Sequence, residues 1–235
     1  MILKDLESLV REVRDANSRI MFAEVIRTYQ VGAFRSALVS LWITVVVDLT
    51  AKVRALGETG DGEAREGVQW LDSAIENNDV NKVQDFERNL IGRAKKFEIL
   101  TTREAVELKR LYEDRHLCAH PSFMGQNSLF SPEAELVRSH IVSAFEAVLS
   151  QPPIAGKQRR DLLKSELTQD VWPIEDKKEL GDYLQKRFFG QARRSVQKNM
   201  MKILVKHSVS TPNEDKKLAK RASKAVQALA EYHLL

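Results

Sequence analysis

The sequence predicts an all-α protein, with an antiparallel helical bundle over residues 1–150 and a smaller, basic helical region over residues 157–235. Along nearly all of the 235 residues, apolar side chains recur at the three- and four-residue spacing of helices. The Pro- and Gly-containing residues 151–156 interrupt this pattern and predict a linker. The net charge of the chain also changes sign at this predicted linker. Residues 151–235 contain 18 Lys and Arg against 10 Asp and Glu, a net +8, whereas residues 1–150 contain 19 against 23, a net −4.

Start and stop signals divide the bundle into seven helices. Residues 2–29 predict two helices with a cap-like break at Asn17 and Ser18. The other helices are predicted over residues 33–56, 63–76, 80–100, from 101 towards Pro121, and 131–149, with a loop at 57–62 and a polar loop at 122–129. Their caps are Asp79, the capping box of Thr101 and Glu104, and the N-cap Ser131 followed by the first-turn Pro132.

The most apolar stretch, residues 33–56, predicts a buried helix. Residues 44–47 favour a strand by propensity, but a stretch of 24 residues without Gly or Pro favours a helix. The uncharged run 37–47 has 11 residues, well short of the roughly 20 that cross a bilayer. We therefore expect a core helix and no membrane contact.

Cysteine usage and the N-terminal residues predict a cytoplasmic protein. The single Cys118 excludes an internal disulfide, and charged residues interrupt any apolar segment near the N-terminus. Cys118 itself fits a small buried hydrophobe better than a reactive thiol. His140, His207 and His233 show no partner pattern, which predicts ordinary surface or helix-end residues.

The basic region predicts four more helices and a polyanionic partner. The helices lie near residues 159–169, 175–189 and 191–207, and from a capping box at 211–214 to the C-terminus. A basic segment beside an acidic body suits nucleic acid, because each cation placed on a phosphate releases condensed counterions.

One run of this region mixes cations with aromatic residues, as single-strand binding grooves do. Phe188 and Phe189 also fit a helical core stripe, so only the cations are RNA-binding candidates. These candidates are Lys186, Arg187, Arg193 and Arg194.

The densest cluster of reactive side chains is residues 113–121. Arg115 and His120 are five residues apart, about 140° around a continuous helix, too divergent to share a small ligand. Because the residue before a proline is pushed out of the α region, Pro121 places His120 just past the helix end. Its ring can then turn back towards Arg115, so that both side chains face one phosphate.

This pair has the chemistry for RNA cleavage without a metal or another cofactor. A guanidinium binds phosphate oxygens bidentately, and an imidazole exchanges protons near neutral pH. The ribose 2′-OH attacks its own phosphate, the imidazole serves as base or acid, and Arg115 stabilises the developing charge. His116 and His120 are also spaced like paired zinc ligands, but Leu117 stands where a metalloprotease has Glu, and a structural zinc lacks a fourth ligand nearby.

The form Arg-His-x-x-Ala-His-Pro, starting at Arg115, resembles the Arg-x4-6-His signature of HEPN domains. Residues 29–37, Tyr-Gln-Val-Gly-Ala-Phe-Arg-Ser-Ala, and the helix that follows also resemble the early helices of these bundles, about 80 residues upstream. The resemblance covers roughly residues 17–150 and not the basic region.

The resemblance implies a HEPN-type ribonuclease, a class common among bacterial toxins and antiphage abortive-infection proteins. It implies that Arg115 and His120 lie in the cleft of a homodimer, with an antitoxin or another defence protein as a further partner. Many members carry Asn where this chain has His116, so either His116 or His120 of the partner subunit can be the acid. Glu113 and Asp114 are expected to support the site.

Two alternatives remain open. The same bundle can be a non-catalytic HEPN-type module that binds nucleotide, RNA or a partner protein such as a nucleotidyltransferase antitoxin. Arg115 and His120 can also simply cap a helix end.

Overall fold

The computed structural model describes residues 5–120, 129–152, 156–168, 176–190, 192, 194–209 and 216–232, except the side chains of 157, 158 and 195. These residues form eleven α-helices and no strand, which confirms the all-α prediction. The chain divides into two compact units, Met1–Ile154 (unit 1) and Ala155–Leu235 (unit 2). The boundary lies within the residues for which a linker was predicted.

In its described residues, unit 1 has seven helices, the last of which continues as a π-helical turn. They are α1 Leu6–Glu12, α2 Ala16–Gln30, α3 Phe34–Glu58, α4 Gly62–Glu76, α5 Val80–Lys96, α6 Thr102–Ala119, and α7 Ala134–Ala144 with the π turn Phe145–Leu149. The described part of unit 2 has α8 Gly156–Thr168, α9 Lys177–Leu184 with the π turn Gln185–Phe189, α10 Arg194–Val209 and α11 Lys216–Ala230.

Helix α3 is the centre of unit 1. It packs against α2, α4, α5, α6 and α7, and its Leu38, Leu41, Trp42 and Leu49 are almost completely buried. By length and hydropathy this helix could cross a membrane, but 56% of that stretch is buried by the rest of the unit. The prediction of a buried helix here is confirmed.

One ion pair lies inside this core. Lys52 contacts Asp48, one turn earlier on α3, and donates to the carbonyl of Val148 at 2.9 Å. Asp48 is only 1% exposed. A charge this deeply buried needs such a partner, because removal from water costs several kcal/mol per ion. The pair therefore joins α3 to the π turn after α7.

Two predicted caps are confirmed. The Asp79 side chain accepts from the N–H of Lys82 at the start of α5. Thr101 and Glu104 form the reciprocal capping box that opens α6. That box fixes where α6 begins and therefore which of its residues face inward.

Several predicted boundaries are wrong. Asp15 caps α2 by accepting from the N–H of Ser18 at 2.7 Å, so Asn17 and Ser18 lie inside the helix and not in a break. Gly57 belongs to α3, and its backbone packs so closely on α4 that a Cβ would lie 2.9 Å from the Arg65 Cα.

Two further boundaries differ. Helix α5 ends at Lys96, before Glu98, which has a left-handed φ of 57°. Helix α7 begins at Ala134, with Glu133 at the N-cap position, so Ser131 and Pro132 precede it. Residues 122–128 of the predicted polar loop and the capping box at 211–214 lie outside the described residues.

Unit 2 has its own hydrophobic core. Phe188 and Phe189 are fully buried in it, which makes them core residues and not stacking surfaces for bases. Two buried arginines donate to main-chain carbonyls: Arg159 to Phe188 at 3.0 Å and Arg221 to Leu167 at 2.9 Å. Not every cation of this basic unit is therefore available to a ligand.

Candidate functional site

The last turns of α6 carry the residues that the sequence singled out. The helix ends at Ala119, and His120 is its C-cap, with a non-helical backbone (φ −127°, ψ 70°). Its N–H still donates to the carbonyl of His116 at 3.0 Å. The predicted position of His120, just past the helix end, is confirmed.

Arg115 lies on the inward face of α6. It continues a stripe formed by the buried Leu108, Leu111 and Cys118, at three- and four-residue spacing. The side chain is 21% exposed, and its buried Nε has no hydrogen-bond partner among the described residues. A buried donor left in this state costs about 1–3 kcal/mol or more. Packing alone therefore does not explain an arginine here.

A carboxylate of α5 contacts this guanidinium. Arg115 Nη2 lies 3.6 Å from Glu87 Oε1, an ion pair slightly longer than a hydrogen bond. The same oxygen accepts a hydrogen bond of 2.5 Å from Trp42 Nε1 on α3. Because Trp42 is 1% exposed, the core fixes where the Glu87 carboxylate lies. Glu87 thereby connects Arg115 to α3 and α5.

The sequence did not predict Glu87 as a site residue. It lies four residues after Val83 and beside the buried Phe86, on the apolar face of α5. A charged residue on an apolar helix face is the signal that could have found it, and Arg115 shows the same signal.

A series of rings leads from the core to the helix end. Trp42 contacts Tyr112 (5.1 Å between centroids), Tyr112 contacts His116 (6.4 Å), and His116 contacts His120 (4.8 Å). Tyr112, His116 and His120 follow each other at four-residue intervals, and His120 is exposed. Two imidazoles of one chain therefore lie in contact at the end of α6.

The end of α6 is held by Arg35 of α3. Its Nη2 donates to the carbonyl of Cys118 at 2.7 Å. This carbonyl belongs to the last turn, where helical partners are lacking and a cation is favoured by the helix dipole. Arg35 belongs to residues 29–37, which carry the second part of the HEPN resemblance.

Asp114 joins α6 to α7. Its Oδ2 lies 2.7 Å from Nε2 of the buried His140, so the prediction that His140 is an ordinary surface or helix-end residue is wrong. Glu113 is exposed, and its Oε1 lies 3.9 Å from Lys109 Nζ. Among the described residues, neither acid forms an ion pair or a hydrogen bond with Arg115. Both line a cleft of about 380 Å³ between α6 and α7.

Cys118 is buried, as predicted. Burial raises the pKa of its thiol, the Asp114 carboxylate raises it further, and Arg35 partly opposes the change. The protonated thiol packs as a small apolar group. In the described part of the chain, the end of α6 included, no three His, Cys, Asp or Glu side chains are grouped so that they could hold a metal ion.

The four RNA-binding candidates of unit 2 differ in their surroundings. Lys186 and Arg194 are exposed, and Arg193 lies outside the described residues. Arg187 binds Glu166 at 2.6 Å and lies over the ring of Phe188. Its charge is therefore already used inside unit 2.

No protein-family model, curated protein or solved structure matches this chain.

Proposed function

We propose that the protein is a metal-independent endoribonuclease of the HEPN type, and that it acts in the bacterial cytoplasm as a toxin or an antiphage effector. The observation that supports this most is the state of Arg115. Its guanidinium is mostly buried, is held near Glu87, and has an Nε without a hydrogen-bond partner among the described residues. The unused donor and the positive charge of this guanidinium suit a phosphate ligand.

The reaction needs one base and one acid. The base takes the proton of the ribose 2′-OH as its oxygen attacks the adjacent phosphorus, and the bond to the 5′-oxygen breaks. The acid gives a proton to that leaving oxygen. Arg115 stabilises the charge on the non-bridging oxygens. The products carry a 2′,3′-cyclic phosphate and a 5′-hydroxyl, and one proton has moved between the two side chains.

His116 and His120 are our candidates for the two proton carriers. Their rings lie 4.8 Å apart in one chain, a spacing at which one protomer would supply both the acid and the base. A homodimer, which the HEPN resemblance implies, would bring the partner subunit's Arg115 and the partner subunit's His120 to the same active site. We keep the homodimer as part of the proposal, although the chemistry alone does not require it.

Substitutions separate the roles of these residues. His120→Ala should still bind RNA but cut it about 10²–10⁴ times more slowly, because proton transfer is lost and the phosphate contact is kept. Arg115→Ala should lose cleavage and part of the binding. Arg115→Lys keeps the charge without the planar fork, so it should recover binding better than cleavage.

The matched controls for this experiment are Arg103→Ala and His207→Ala. Arg103 is 89% exposed and lies on α6, two turns or more before the site, whereas His207 lies on α10. Both controls should cut RNA at the wild-type rate. Full activity in His120→Ala would reject the proposed mechanism.

A non-catalytic HEPN-type module is the second candidate function. The ion pair with Glu87 favours it, because a carboxylate at 3.6 Å offsets part of the charge with which Arg115 would stabilise a transition state. In that case purified protein binds nucleotide, RNA or a partner protein without cutting RNA, and Arg115→Ala reduces binding only.

A further inference from the structure

One face of α10 carries a continuous line of cations. Arg194, Lys198, Lys202 and Lys206 follow each other at every fourth residue, and all four are exposed. Helix α10 contains no Asp or Glu. We call these four side chains the α10 stripe.

The α10 stripe lies opposite the core of unit 2. The buried Val196, Met200 and Leu204 occupy positions two residues after each of the first three cations, about 200° around the helix axis. The stripe therefore faces solvent along most of the helix.

Folding alone does not explain this arrangement. Like charges four residues apart repel and destabilise a helix, and the stripe has three such pairs in succession. An exposed helix usually offsets Lys with Glu at this spacing. None of the four cations forms an ion pair with a described residue. A polyanion laid along the stripe would remove the repulsion.

Helix α11, which packs against α10, extends the positive charge. Its Lys216, Lys220 and Lys224 are exposed at the same four-residue spacing, and it also contains no Asp or Glu. Its buried side is formed by small residues such as Ala222 and Ala225. Two neighbouring helices thus carry positive charge on their solvent faces.

We propose that the α10 stripe binds the sugar-phosphate backbone of single-stranded RNA, with the exposed lysines of α11 adding to the attraction. Four residues of helix rise about 6 Å, close to the separation of successive phosphates in an extended strand. Phosphates carry no sequence information, so the contact adds affinity without selectivity. The choice of RNA rests on the proposed function. Of the four candidates that the sequence predicted, the stripe contains only Arg194.

The test compares two triple variants of the full chain. Lys198→Gln/Lys202→Gln/Lys206→Gln removes three charges of the stripe and keeps a good helix-forming residue at each position. The matched control, Lys164→Gln/Lys177→Gln/Lys178→Gln, removes three exposed charges from other helices of unit 2. Circular dichroism should show wild-type helix content in both.

The probe is a 2′-O-methyl oligoribonucleotide, which lacks the nucleophile and cannot be cut. Its binding is followed by fluorescence anisotropy across a range of salt concentrations. The salt slope is the change in the logarithm of the binding constant with the logarithm of the salt concentration. Each contact with a single-strand phosphate contributes about 0.7 to its magnitude, so the slope of the stripe variant should be smaller by about 2. At about 0.1 M salt this corresponds to roughly 100-fold weaker binding. The control variant should stay within a few-fold of the wild type.

Three results would overturn the inference. Unchanged affinity and salt slope in the stripe variant exclude the stripe as an RNA contact. Equal losses in both variants indicate diffuse attraction by the whole unit. If the stripe variant loses binding only to phosphatidylserine vesicles and not to the oligonucleotide, the stripe serves a membrane surface.

These outcomes are distinct from failure of the proposed function. If the wild type does not cut RNA but its binding to the uncleavable probe depends on the stripe, only the nuclease proposal fails. If it cuts RNA and the stripe variant binds normally, only the stripe inference fails.

Discussion

The contact between Glu87 and Arg115 can be tested without any knowledge of an RNA target. Glu87→Gln keeps a side-chain oxygen for Trp42 but removes the charge that faces Arg115. At 3.6 Å, opposite charges attract by about 5 kcal/mol at an effective dielectric constant of about 20, and by about 1 kcal/mol in water. Both side chains are roughly a quarter exposed, at 21% and 27%. We therefore expect a loss of about 1–2 kcal/mol in the free energy of unfolding.

Glu87→Ala should cost more than Glu87→Gln. The alanine removes the acceptor of the Trp42 indole N–H as well as the charge. A buried donor without an acceptor lowers the free energy of unfolding by a further amount of about 1–3 kcal/mol. The difference between the two variants thus measures the hydrogen bond, and the effect of the glutamine measures the ion pair.

Urea denaturation followed by tryptophan fluorescence provides the assay. Glu66→Gln is the control, because Glu66 is exposed on α4 and its loss should change stability by less than about 0.5 kcal/mol. If Glu87→Gln unfolds at the same urea concentration as the wild type, and Glu87→Ala behaves like Glu87→Gln, the contacts described for this carboxylate do not stabilise the fold.

The same substitution has a functional outcome. With its charge removed, Glu87→Gln should bind RNA as well as the wild type or better, because a carboxylate no longer competes with the phosphate for Arg115. Cleavage should still be slower, since the guanidinium is no longer held in one position. A parallel loss of binding and cleavage would indicate that Glu87 has only a structural role.

Replacing Lys52 by Met should cost unit 1 about 3–5 kcal/mol in denaturant melts, because it leaves the buried Asp48 without its partner, whereas Lys82→Met on the surface should have little effect. Burial and the hydrogen bond to Glu166 raise the pKa of Tyr183 to about 12, compared with about 10 in an unfolded chain. The unfolded state therefore loses this proton first, so stability should fall between about pH 10 and 12 more steeply in the wild type than in Tyr183→Phe. Light scattering should give twice 26.8 kDa at micromolar concentration; a particle of 26.8 kDa that cuts RNA would show that one protomer suffices.

Much of the fold followed from local signals. Helical spacing and the capping box at Thr101 act over a few residues, so the sequence alone predicted them. The wrong boundaries had separate causes. Gly57 lies inside α3 where α4 packs against its backbone, and a glycine that serves close packing looks like a loop residue in a single sequence. Asp15 and Ser18 are both good N-cap residues and lie close together in the sequence. Asp15 forms the cap of α2.

In the candidate site, too, the local features could be predicted from the sequence and the contacts between helices could not. The position of His120 follows from the proline next to it, a local restriction that could be predicted. Glu87 and His140 reach the site from other helices, 28 residues before Arg115 and 26 residues after Asp114. No spacing rule connects residues on different helices, so these partners required the structure.

The end groups of the cleavage products test the central claim most directly. Purified protein is incubated with RNA in excess EDTA, and the products are identified by mass spectrometry, with His120→Ala and an all-deoxy strand as controls. We predict 2′,3′-cyclic phosphate and 5′-hydroxyl ends, almost no product with His120→Ala, and an intact deoxy strand, because DNA lacks the 2′-OH nucleophile. Products with 3′-hydroxyl and 5′-phosphate ends, cleavage only after a divalent metal is added, or cleavage of the deoxy strand would contradict it.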